Sequence, residues 1–179
     1  MTDVTPTIEQ VRARRSTAEG LRYFDSLPAV TVEEMLGRWR GEGVETGHPM
    51  DGVLERFGWY GKRFDGPDDV HPLVFRTSGG LRSVNPALMP VGLLAVRPRT
   101  AFLPGVAGAF RLLLPLVTTS RPAARLRMTE YRGVLTATMC YDAHPIHDVF
   151  RRVDDDTVIG VMDQRGLPQP FVFLLRRER

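Results

Sequence analysis

Over most of the second half of this chain, apolar and polar residues alternate with a period of two, the mark of half-buried strands. Ala124–Tyr131 and Val134–Tyr141 flank Arg132-Gly133, a pair suited to a two-residue hairpin. In that register Leu126 and Met128 share a face with Leu135, Ala137, Met139 and Tyr141, while Arg125, Arg127, Thr129, Thr136 and Thr138 take the other. One dry face and one wet face are therefore expected. Ile146–Val153 and Thr157–Asp163 read as a second hairpin around Asp154-Asp155-Asp156, and Phe171–Leu175 as a last strand. Earlier in the chain, Trp59–Phe64 alternates with Tyr60, Lys62 and Phe64 on one side, and Leu73–Thr77 and Leu81–Asn85 surround Gly79-Gly80. The pattern predicts about eight to ten short strands with two or three helices, a mainly β architecture.

Helical periodicity marks three places, and a turn or a single helical turn is expected after His48-Pro49-Met50-Asp51-Gly52. Thr7 is placed to cap a helix carrying Ile8, Val11, Ala18 and Leu21, ended by Pro28. Thr31 with Glu34 makes a capping box and Gly37 a stop. That short helix delivers the chain to a glycine-rich strand over Arg38–Thr46, opening Gly37-Arg38-Trp39-Arg40-Gly41. A tryptophan framed by glycines there suggests an antiparallel barrel closed over its own base; Gly41 and Gly43 allow a sharp bend or a close approach. Small barrels either fill their interior or hold one small ligand. Between the halves, Pro86, Pro90, Pro98 and Pro104 punctuate an irregular stretch, in which Gly105–Leu114 reads as an apolar helix. Its apolar residues nearly encircle it, as for a helix buried on several sides, a lid or interface element.

A length of 179 residues suits one domain spanning 1–179, with a first half at 20–80, a Pro-rich insert at 86–122 and a second half at 123–179 closing the same barrel. The net charge of +3 implies no strong phosphate-seeking field, so no nucleic-acid partner is expected. Lys62 is the only lysine, and Cys140, the only cysteine, excludes an internal disulfide and reads as inert. The N-terminus, with Asp3 and Glu9, lacks an apolar signal core, and Val106–Val117 is interrupted by Arg111 and Pro115 and too short to span a bilayer. A cytoplasmic location is expected, and a homodimer is compatible with the sequence.

Five stretches resemble the GXWXG domain family, proteins of unassigned general function. They are Gly37-Arg38-Trp39-Arg40-Gly41, His48-Pro49-Met50-Asp51-Gly52, Gly58–Phe64, the Tyr131–Asp142 region with Pro145–Phe150, and Arg152-Val153-Asp154 with Gly160–Asp163. The later ones are similar to that family's C-terminal companion module. The resemblance implies a calycin-like barrel, as in lipocalins. It also implies that Trp39 packs at the closed end against a late-strand arginine, Arg176 or Arg177.

Candidate chemistry follows from the predicted faces. If Val153 lies opposite Val158, Asp148 faces Asp163 on an apolar, inward surface with Ile146, Phe150, Ile159 and Val161. Burial and mutual repulsion would raise at least one of the two pKa values, suiting acid–base work. A rim turn capped by one aspartate, with the other held by an arginine, is the alternative, and a one-residue slip separates the pair. Lys62, between Tyr60 and Phe64, is either a buried ammonium for a carboxylate or carbonyl, or a cation snorkelling along the wall. His48, Tyr60, Phe64, Met128, Met139, Tyr141 and Phe150 complete the expected ligand surface. Trp39 and Trp59 read as plugs or stacking platforms. No metal site is expected, since the spacing of His48, His71, His144 and His147 fits no zinc pattern; no cofactor is expected, with haem on one axial histidine as the alternative.

Three functions fit these residues. The first is a barrel holding a small hydrophobic molecule. The second is a cofactor-independent isomerase, cyclase or lyase for a terpenoid-, polyketide- or fatty-acid-like substrate, with Asp148, Asp163 and Lys62 catalytic. The third is a filled interaction module.

Overall fold

Antiparallel pairing closes eight strands into a ring, each joined to a neighbour on both sides. The computed structural model describes residues 7–14, 16–89 and 97–179. Its strands are β1 (Gly37–Gly43), β2 (Trp59–Gly66), β3 (Asp69–Thr77), β4 (Gly80–Ser83), β5 (Ala124–Tyr131), β6 (Val134–Tyr141), β7 (Ile146–Asp154), β8 (Thr157–Gln164) and β9 (Phe171–Arg177). The ring order is β1-β9-β8-β7-β6-β5-β3-β2, closed by β2 pairing with β1, while β4 is an outer addition to β3. The expected mainly β barrel is thus observed. Its two halves meet at a thin seam, where β3 and β5 share the single pair Val70–Ala124.

Five α-helices accompany the ring among the described residues, rather than two or three: α1 (Ile8–Arg14), α2 (Thr17–Ser26), α3 (Val32–Met35), α4 (Val53–Phe57) and α5 (Val106–Leu113). The long N-terminal helix expected from Thr7 is two helices, because Ser16 is extended and its hydroxyl accepts from Glu19 N, starting α2 afresh. The Thr31–Glu34 capping box forms as predicted.

Two apolar clusters divide the protein. One fills the barrel. The other lies outside it, where Val11, Tyr23 and Phe24 of α1 and α2 cover Val149, Ile159, Val161, Val172 and Leu174. The expected wet face of the β5–β6 hairpin is corrected in part: Arg125 and Arg127 are exposed, but the segment at Val30 lies over Thr136. Thr136 and Thr138 are fully buried, the Thr136 hydroxyl donating to Phe150 O at 2.7 Å and accepting from Val30 N at 3.1 Å. Met128, expected inside, is 39 % exposed toward the hairpin's end.

Trp39 closes the base. It is 1 % exposed, and its indole N–H donates to Met35 O at 2.8 Å. The cation over its ring is Arg177, 4.3 Å from the centroid, which also donates to the carbonyls of Leu36 and Glu34. Arg176 is exposed and pairs loosely with Glu42 at 3.7 Å. Alternation along β9 decides between them, because only every second side chain turns toward the base. The flanking glycine has its own task. A Cβ on Gly41 would lie 2.1 Å from the Trp59 ring, so the bare backbone is what lets that indole enter the barrel.

The Pro-rich insert forms α5 with the 3₁₀ turns Pro86–Leu88, Pro98–Phe102 and Leu114–Val117; Pro90 and its neighbours to residue 96 lie outside the described residues. Rather than being enclosed on several sides, α5 is packed on one. Phe110 meets Phe57 at 4.9 Å and Phe75 at 5.3 Å between ring centroids, while Leu112 is 80 % exposed. Among the described residues no helix is long and apolar enough to cross a membrane.

Candidate functional site

Lys62 and Asp148 meet inside the barrel as a contact ion pair, Nζ to Oδ2 2.7 Å, with both side chains almost wholly withdrawn from solvent. Strand β2 supplies the lysine and β7 the aspartate. Lys62 Nζ also donates to Pro72 O at 3.2 Å and lies 5.2–5.7 Å from the ring centroids of Phe173, Trp59 and Tyr141. The ammonium therefore has one carboxylate, one carbonyl and three aromatic faces in place of water.

Asp148 is less well served. Its second oxygen, Oδ1, has no hydrogen-bond partner. Burial raises its pKa, with Lys62 opposing the shift. Burial also pushes the Tyr141 phenol well above its ordinary value of 10.0, with the Asp148 charge adding to the effect, so that hydroxyl keeps its proton.

These groups border a chamber with about 80 Å³ of free space, lined otherwise by apolar side chains from three sources. Ile146, Met162, Phe171 and Phe173 come from β7–β9, Leu73 and Phe75 from β3, and Met50, Val53, Leu54, Phe57 and Met89 from the roof. Trp59 also lines it, and its indole N–H is a second buried polar atom without a partner. Below, Phe64, Phe150 and Phe173 pack edge to face at 6.0 and 6.3 Å. Phe64, Phe150 and Met139 are thus the packed floor of the barrel rather than chamber lining, contrary to expectation.

A pair of bulges explains the remaining differences. Between Arg152 and Asp154 the β7–β8 register slips by one, so Asp148 lies opposite Met162 and His147 opposite Asp163. Asp163 is consequently exposed, and no carboxylate pair forms. The same slip turns Ile159 and Val161 outward beneath α2, although Ile146 and Phe150 remain inside. In β2, register shifts around Gly61 separate Tyr60 from Lys62. Tyr60 turns out, its hydroxyl bonded to Glu178 and its ring under Arg76. Gly61 has φ 153°, and a Cβ there would sit 1.9 Å from Trp39 O; the bulge demands glycine.

His48 lies next door. Its Nδ1 accepts from Met50 N at 3.1 Å and its Nε2 meets Gln169 O at 3.2 Å, which fixes the neutral Nε2–H tautomer; burial lowers its pKa. It borders a groove of about 760 Å³ formed with the Gln164–Gln169 loop, which shares Met50 with the chamber. The other histidines are elsewhere: none lines the chamber, and His144 bonds Pro86 O at 2.7 Å. Asp65, Asp69 and His71 bring three possible metal-ligand atoms within 4.8 Å of one another on the β2–β3 hairpin.

Sequence reasoning thus finds Lys62, Asp148 and Tyr141. It misses the roof: the helical signal at Val53–Phe57 is a single turn, and nothing local links Leu54, Phe57 or Met89 to a strand on the far side.

Comparison with known proteins fits these features. The model of the GXWXG protein family matches residues 22–80, and that of a domain of unknown function, DUF4334, matches residues 122–177. A protein from Thermomonospora curvata, known as a crystal structure, is 35% identical, with a TM-score of 0.67 over 90% of this chain and 87% of that one. No curated protein matches.

Proposed function

This chain belongs to the GXWXG protein family, carrying a DUF4334 domain behind the GXWXG domain, and from that premise we propose that its barrel binds a small hydrophobic molecule bearing a hydrogen-bond donor such as a hydroxyl. One observation carries the reading: Asp148 Oδ1 is a buried acceptor without a partner beside an otherwise apolar chamber. Unpaired buried polar atoms are costly, and charged ones most of all. A hydroxyl on the ligand would satisfy Asp148 and offer the Trp59 N–H an acceptor. A carboxylate head is disfavoured, because Lys62 is already committed to Asp148 and an anion would face the orphan oxygen.

About 80 Å³ is less than the roughly 150 Å³ that admits benzene to a dry cavity, so a larger molecule requires Leu54, Phe57 and Met89 to move outward. The adjoining groove at His48 and Met50 supplies a direction of entry. The enzymatic alternative loses its second carboxylate with Asp163 and is not favoured by any separate observation.

The test is displacement of a lipophilic fluorophore from the full chain by decanol, decanoic acid and decane. Decanol is expected to compete at least tenfold better than either, since a hydrogen bond to a charged group contributes about 1.5–3 kcal/mol. The double variant Lys62→Met/Asp148→Leu should lose that preference while still taking up the fluorophore. No uptake by the wild type, or equal competition by all three compounds, would refute the proposal.

A further inference from the structure

The insert carries an exposed apolar surface and an unusual charge. Of the nine large apolar side chains exposed among the described residues, six lie between Leu88 and Leu116. Leu112 and Leu116 are 80% and 76% exposed, with Leu103 and Leu113 above 50%. They are not scattered, since α5 packs against both the Pro98–Phe102 turn and α4. Exposed leucines at this density mark a surface that meets something other than water.

Charge identifies the partner. From Val70 to Thr129 the sequence contains eight arginines and no aspartate or glutamate, although the whole chain is only +3. Basic character is thus concentrated in this stretch, and the remainder of the chain is net acidic. Arg125 and Arg127 are neutralised by Asp142 and Asp68. Arg97, Arg99, Arg111 and Arg121 are all exposed, and none forms an ion pair among the described residues. Those four belong to the same segment as the exposed leucines. A second copy of the chain would bring the same four cations to the interface and meet repulsion. An anionic lipid bilayer offers phosphates for the arginines and an acyl boundary for the leucines.

We infer that Arg97–Arg121 is a docking element for an anionic bilayer surface, with the exposed leucines entering the headgroup boundary and the four arginines meeting lipid phosphates. The element lies on the interfacial plane and does not span it. Phe110 on the opposite side of α5 touches Phe57 and Phe75, both chamber-lining residues, so docking sets the chamber roof against the lipid. That last consequence rests on the ligand-binding reading; docking itself does not, because vesicle binding is read without any chamber ligand.

The experiment is co-sedimentation of the full chain with vesicles of phosphatidylcholine alone or mixed equally with phosphatidylglycerol. Binding is expected to the mixed vesicles, weakening with added salt. Leu112→Ser/Leu116→Ser should weaken it at least tenfold, and Arg99→Gln/Arg111→Gln by about fivefold per arginine. All four side chains are exposed, so both variants should keep the wild-type melting temperature, and the salt dependence of the wild type gives a readout that needs no variant. Failure of the wild type to bind mixed vesicles at low ionic strength would overturn the inference, as would binding unchanged in both variants. A wild-type dimer that the leucine variant dissociates, with no vesicle binding, would overturn it in favour of self-association.

Discussion

Removing Lys62 should cost far more than removing the whole ion pair. At 2.7 Å, with an effective dielectric near 20, the attraction to Asp148 is about 6 kcal/mol. Withdrawing each ion from water costs several kcal/mol, so the intact pair contributes little net stability. Lys62→Met keeps the desolvation cost of Asp148 and loses the attraction, which predicts a loss of about 3–5 kcal/mol. For a chain of 179 residues that is a fall in Tm of roughly 6–20 °C. Lys62→Met/Asp148→Leu removes both charges and should return to the wild-type value or exceed it by about 1–4 kcal/mol. The pH dependence adds a second reading. Burial already raises the Asp148 pKa above its ordinary 3.8, and without Lys62 it should rise further. A raised folded-state pKa contributes stability at low pH that is lost as pH rises, so the cost of Lys62→Met should shrink toward acid pH. Urea unfolding followed by the fluorescence of buried Trp39 and Trp59 measures all three proteins. A double variant no more stable than Lys62→Met, or a single-variant cost below about 1 kcal/mol, would refute the reasoning.

Three other outcomes are expected. Gly61→Ala should destabilise by more than about 3 kcal/mol, because backbone must shift to admit the methyl group; a melting temperature within a degree or two of wild type would contradict this. Arg177→Met, which loses the contact with Trp39 and two carbonyl hydrogen bonds, should cost about 1–3 kcal/mol in urea unfolding, while Arg176→Met should stay within about 0.5 kcal/mol. Burial lowers the pKa of His48 and His71 below 6.5, so their contribution is complete above that pH and is lost as pH falls through the lowered values. Thermal melts from about pH 8 to pH 5 should show the decline, and His48→Gln should reduce its slope.

Much of the barrel was legible because strands announce themselves locally. The Arg132-Gly133 turn has φ of 51° and 78°, the hairpin conformation its residues predict, and every β5–β6 pairing follows from it. The chamber was legible only in part. At the tip of the next hairpin, Asp154 pairs with Thr157 in the register the sequence suggests, but the shift between Arg152 and Asp154 reverses the faces of β8 below it. Nothing in Arg151-Arg152-Val153 signals that bulge, and Asp163 is misplaced as a result. The outward face of β6 was misread for a different reason. Thr136 looks solvent-facing until Val30, more than a hundred residues earlier, bonds to it. Local polarity cannot reveal a distant segment that covers it.

Strand β1 pairs with β2 on one side and with β9 on the other. During synthesis the first strand must therefore wait, with one edge unpaired, until β9 has left the ribosome. Aggregation at that edge is a hazard that lasts as long as translation does. Gly43, the last residue of β1, has its N–H bound to Glu55 Oε1 at 2.7 Å on the β2 side, because Arg38 and Val44 bond across to the β9 side and alternate residues face the other way. A side chain twelve residues downstream thus extends the edge that pairs first, while the β9 edge stays open and the cyclic sheet is completed only when its final strand arrives.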